Sequence, residues 1–209
     1  MKLSTNFYVY PSVYDIPTYE EIISYTQVYL KDFFDTQQKK NKTFKISVET
    51  YSLSDNKVID LESGGELTQN EAIMAWFYVD GIAGGIEFYY FRIKNVDISP
   101  WSNEEVLYEN YKKIKGLIKD NLKIGYYWSF KRTAGQHGLI NLLYGLLAIS
   151  LAKLTKGFLY SDDGAWDYSR FPIQPEEFIN YYFKPDLIIN PELKDFVEMS
   201  IRSIEKLDQ

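Results

Sequence analysis

Residues 72–93, AIMAWFYVDGIAGGIEFYYFRI, hold two runs rich in aromatic and β-branched side chains on either side of Asp80-Gly81-Ile82-Ala83-Gly84-Gly85. Such side chains fit a pleated, half-buried surface, and glycines between them tolerate the positive φ that a tight reversal demands. The stretch therefore predicts a β-hairpin, strands 72–79 and 86–93, and sets an antiparallel sheet as the frame for the rest of the chain.

Upstream, Phe44, Ile46, Val48 and Thr50 alternate with Lys45, Ser47, Glu49 and Tyr51, the period of a strand with one wetted face. A turn at Ser54-Asp55-Asn56 leads to a short strand at 57–61, and Gly64-Gly65 opens a loop. Four strands with short links favour an antiparallel meander. Before them, Tyr19, Ile22, Ile23, Val28 or Tyr29, Leu30, Phe33 and Phe34 recur at helical spacing, and Pro17 with Thr18 and Glu21 forms a capping-box start for a helix over 17–34.

Downstream, Ser102 and Glu105 predict a second capping box. The helix it opens carries Glu104, Glu105 and Glu109 early and Lys112, Lys113, Lys115 and Lys119 late, which complements the helix dipole, so the lysines need no anionic ligand. Val106, Leu107, Tyr111, Ile114, Leu117 and Ile118 supply its buried face. A fifth strand is predicted at 122–130 and an apolar central helix at 136–156. Gly138, Gly145, Ala148 and Ala152 fall near one side of that helix and allow another element to approach. Gly157 reads as a left-handed cap, 158–160 as a short strand, 175–183 as a helix, and Asn190-Pro191-Glu192 as the start of a last one. The expected fold is α+β: one domain over residues 1–209, an antiparallel sheet of about five or six strands covered on one face by helices.

Composition narrows function by exclusion. The 209 residues are 45% hydrophobic and 25% charged, enough for a core without covalent staples. The absence of cysteine removes disulfides, thiolate metal sites and cysteine nucleophiles, and a single histidine leaves too few ligands for a transition metal, so no metal or cofactor is expected. The uncharged run 138–152 falls short of the roughly 20 residues that span a bilayer, and residues 1–10 lack a signal-peptide pattern, so a cytoplasmic location is expected. A net charge of −6 repels nucleic acid and anionic membranes and favours a basic protein partner.

His137 stands where a strand hands over to the central helix, without a nucleophile motif beside it, and is expected to be structural. Gly81, Gly84 and Gly85 lack a phosphate-loop spacing and read as turn residues. Asp162, Asp163 and Asp167 are the densest carboxylate group; they fit turn chemistry, with an unfamiliar acid–base site as the alternative, placed in a pocket near His137. The same segment holds Trp166, Tyr168, Arg170 and Phe171, a mixture suited to interface anchors as well as to clamping a loop onto a core.

The run Gly125-Tyr126-Tyr127-Trp128-Ser129-Phe130-Lys131-Arg132, the helix ending at Gly157, Tyr160-Ser161-Asp162-Asp163-Gly164-Ala165-Trp166-Asp167, and Phe171-Pro172 followed by Pro175-Glu176-Glu177-Phe178 resemble small immunity proteins of bacterial polymorphic toxin systems. The likeness lies in motif order over 122–185. It implies a non-enzymatic cytosolic antidote that blocks a toxin domain by direct binding, and it carries over no site residue. The expected partner is thus a basic toxin domain, met by a surface that includes Asp162, Asp163, Trp166, Asp167, Tyr168, Arg170 and Phe171. A scaffold or regulatory protein with a large apolar self-interface is the other class left open.

Overall fold

The computed structural model describes residues 4–37, 42–59, 65–94 and 109–208. Its strands β1 (Ser4–Tyr10), β2 (Ile46–Ser52), β3 (Val58–Ile59), β4 (Ile73–Val79), β5 (Ile86–Arg92), β6 (Tyr126–Thr133) and β7 (Phe158–Tyr160) form one antiparallel sheet in the order β3-β2-β4-β5-β6-β1-β7. The hairpin β4–β5 is present, with Gly81 and Gly84 at positive φ in its connection. The fold is α+β, with seven strands among the described residues instead of five or six. The added one is β1, a segment whose Thr5, Phe7 and Val9 alternate with Asn6 and Tyr8 and which inserts between β6 and β7. The first four predicted strands do not make a strict meander either. β3 pairs with one edge of β2 and β4 with the other, so the chain crosses from β3 to the far side of β2.

One face of the sheet carries Phe7, Val9, Phe77, Phe88, Trp128, Phe130 and Leu159, all buried. Over it lie α1 (Tyr19–Thr36), α3 (Gly138–Leu154) and α5 (Pro191–Glu205), with the one-turn α4 (Pro175–Phe178) beside α3. Helix α3 is buried on every side from Gly138 to Ala152, so its apolar run is that of a core helix. Two of its small residues permit contact at backbone distance: a Cβ at Gly138 would lie 2.0 Å from the Ser200 carbonyl oxygen, and one at Gly145 would lie 2.1 Å from the Tyr182 ring. No helix among the described residues is long and apolar enough to cross a membrane.

Helix α2 (Glu109–Ile124) departs from the expected layering. Its Tyr111, Ile114 and Ile118 pack on Tyr10 and Phe158, which point away from the main core, so helices flank both faces and α2 covers only the β1–β7 end of the second. The predicted cap at Ser102 and Glu105, with Glu104, Val106 and Leu107, lies outside the described residues. Residues 122–124, expected in a strand, close α2 instead; Gly125 at φ +85° breaks the chain before β6 begins. Helix α1 starts as predicted: the Thr18 hydroxyl accepts from the Glu21 N–H, and the Glu21 carboxylate accepts from the Thr18 N–H. At the end of α3 the left-handed residue is Lys156, φ 50°, and not Gly157. The Gly157 N–H reaches the Ala152 carbonyl and the Lys156 N–H that of Lys153, a Schellman ending. Gly157 answers a different need, since a Cβ there would lie 2.1 Å from the Tyr10 carbonyl oxygen.

Candidate functional site

The segment after β7 divides between two sides of the molecule. Trp166 is 3% exposed and packs against Phe178, Tyr182 and Phe183; Phe171, 1% exposed, meets Phe7 and Phe178. These aromatics therefore close the core and do not stand out as surface anchors. The cause is topological: β7 ends at Tyr160, and the returning chain must fill the space between β1 and α4. Asp167 is buried and accepts the Ile189 and Asn190 N–H groups at 3.3 Å each, fixing the approach to α5. Arg170 lies with its guanidinium 4.1 Å from the Tyr181 ring centre and donates to the Leu187 carbonyl. The Tyr168 side chain lies outside the described residues.

Asp162 and Asp163 remain on the other side. Asp162 is exposed. Asp163 accepts from the Asn6 backbone N–H at 2.8 Å and from its side-chain amide at 2.7 Å, satisfying the β1 edge just beyond the point where β7 stops. Burial, then the charges of Asp162 and Asp163, raise the Tyr8 phenol above its ordinary range.

His137 is the N-cap of α3: its Nδ1 accepts from the Leu139 N–H at 3.1 Å, which places its proton on Nε2. Burial lowers its pKa. Asp163 and Asp167 are held by different elements through separate backbone partners, and among the described residues no three His, Asp or Glu side chains converge on a point that would hold a metal ion.

The sheet face turned away from the main core carries a set of side chains that the sequence analysis did not single out. Two registers cross it. Glu49, Trp76, Glu87, Lys131 and Asn6 stand opposite one another on β2, β4, β5, β6 and β1, and beside them run Tyr51, Met74, Tyr89, Ser129, Tyr8 and Tyr160. Among the described residues α2 covers the β1–β7 end; Tyr51, Trp76, Tyr78 and Tyr89 belong to neither hydrophobic cluster and are part exposed. The Glu49 carboxylate accepts from the Tyr51 and Tyr78 hydroxyls, the latter at 3.0 Å. Those hydrogen bonds raise both phenol pKa values. Glu87 accepts from the Tyr89 hydroxyl and from Lys131 Nζ at 2.8 Å. Burial and then the bond to Glu87 raise the Tyr89 phenol. The band is thus aromatic and acidic, with Asp162 and Asp163 at one end.

A signal for it is present in the sequence. In residues 73–79 the positions alternating with Ala75 and Phe77 are Met74, Trp76 and Tyr78, so the strand is large and aromatic on the side that should be wet. No family model matches the chain, and neither a curated protein nor a solved structure matches it.

Proposed function

We propose that this chain is a non-enzymatic binding protein that uses the open face of its sheet to hold a basic protein partner. The observation that carries the reading is the Glu49–Trp76–Glu87 register, a large aromatic with a glutamate on the strand to either side, in the part of the face that no described helix covers. Aromatic side chains with polar tips are the usual anchors of protein interfaces, and acidic neighbours add steering toward a cationic surface. The overall charge of −6 acts in the same direction. The resemblance to immunity proteins of polymorphic toxin systems supplies the partner class, a toxin domain, and the cytoplasm as the place of action. Asp162 and Asp163 extend the acidic rim, whereas Trp166 and Phe171 support it from within.

The test is co-expression with the product of the adjacent coding sequence. The pair is expected to co-purify, and Trp76→Ala is expected to weaken the complex while the fold is retained. Failure of the pair to associate, or wild-type binding by both Trp76→Ala and Glu49→Gln/Glu87→Gln, would remove the reading.

A further inference from the structure

We infer that Trp76, seated against Gly85 with Glu49 and Glu87 on the strands to either side, is the seat of one arginine side chain of the partner. This inference rests on the reading of the open face as the docking surface.

Gly85 carries the first step. A Cβ at that position would lie 2.5 Å from Cε2 and 2.6 Å from Cζ2 of Trp76. Glycine therefore lets the indole approach the start of β5 at backbone distance. Trp76 is part exposed there, and an indole π face attracts cations.

Register carries the second. Glu49 and Glu87 sit directly opposite Trp76 on the strands to either side, and neighbouring strands are about 4.8 Å apart, so an acidic residue adjoins Trp76 on each side. The two differ in charge balance. Glu87 is paired with Lys131, whereas the partners of Glu49 among the described residues are the Tyr51 and Tyr78 hydroxyls. Hydroxyl donors orient that carboxylate without neutralising it, so Glu49 is the half of the site that has no cationic partner among the described residues.

Chemistry selects arginine over lysine. A guanidinium is planar, weakly hydrated and rich in edge donors, so it stacks on the indole while its rim donates to Glu49. A lysine ammonium is a compact, strongly hydrated point charge and gains less from lying on a flat ring.

The experiment follows the indole N–H signals of the four tryptophans in 15N-labelled full-length protein, with Trp76→Phe identifying the Trp76 signal. The probes are an Arg-Gly repeat peptide and a Lys-Gly repeat peptide of equal charge, at low salt. The Trp76 signal is expected to move with both, with half-saturation at about threefold lower concentration for the arginine peptide. Glu49→Gln is expected to weaken the arginine response by about threefold or more. Gly85→Val is expected to abolish the preference; if that variant does not fold by circular dichroism, Glu49→Gln, a surface change, carries the test. Equal, Glu49-dependent responses to the two peptides would overturn the arginine seat and leave the docking face standing. A Trp76 signal unmoved by either peptide would also overturn the seat, and the co-purification outcome then judges the docking face separately.

Discussion

Lys156 occupies a backbone conformation that costs an L-residue about 1 kcal/mol and costs glycine nothing. Its side chain is exposed, so Lys156→Gly is expected to raise unfolding free energy by about 0.5–1 kcal/mol in urea titrations. One residue later the sign reverses. Gly157→Ala forces a methyl against the Tyr10 carbonyl and should cost about 1–3 kcal/mol, the range of overpacked cores. His137 gives a pH-dependent counterpart. Burial depresses its folded pKa below the ordinary 6.5, so the unfolded chain binds its proton more readily. Its contribution to stability is complete above about 6.5 and is lost as pH falls through the lower folded value. Protonation at Nδ1 would also remove the acceptor for Leu139. Urea midpoints at pH 7.5 and 5.5 should fall further apart for wild type than for His137→Asn, which keeps a capping oxygen; identical pH dependence would reject the assignment.

Within α3 the Tyr182 hydroxyl accepts from the Gly145 N–H at 2.9 Å and donates to the Asn141 carbonyl at 2.8 Å, the two groups that an uninterrupted helix pairs with each other. Glycine-to-alanine changes inside helices ordinarily stabilise by about 1 kcal/mol. Gly145→Ala is expected to do the opposite, by about 1–3 kcal/mol, because its methyl meets the Tyr182 ring. Tyr182→Phe removes the bridging hydroxyl from a buried site and should cost about 1–3 kcal/mol. Thermal melts of the two variants check the pair. The elements themselves were legible where their signals are local. Thr18 with Glu21 announces α1, the uncharged run announces α3, and glycines between aromatic runs announce β4–β5. Residues 122–124 fit either period, and only the positive φ of Gly125 separates α2 from β6. The sidedness of Trp166 and Phe171 was not legible, because it depends on β1 lying beside β7, a long-range pairing that Tyr8 and Tyr160 reveal only in register. Trp76 was legible as strand but not as site. That required Glu49 and Glu87, 38 residues apart in sequence, to stand on either side of it.

For the molecule as a whole, the inward aromatics and the open face assign different jobs to residues of the same chemical type, and binding kinetics separate them. Neutralising Glu49 and Glu87 removes charge from a part-exposed band without touching the core, so the double Gln variant should associate more slowly and show a flatter dependence on salt. Trp76→Ala removes the central contact and leaves the charge in place; its effect should fall on dissociation, about tenfold or more if Trp76 is an anchor worth about 1.4 kcal/mol or above. Trp166→Ala acts through the fold. Loss of a ring packed on Phe178, Tyr182 and Phe183 should cost about 3–5 kcal/mol of stability, and the surviving folded fraction should bind with wild-type rates. Surface plasmon resonance on the co-purified pair, at about 50 and 500 mM salt where the Debye length falls from roughly 14 to 4 Å, reads all three together with a melt of each variant. Unchanged dissociation for a folded Trp76→Ala variant would take the interface off the open face. Faster dissociation for a fully folded Trp166→Ala variant would move it toward the segment after β7.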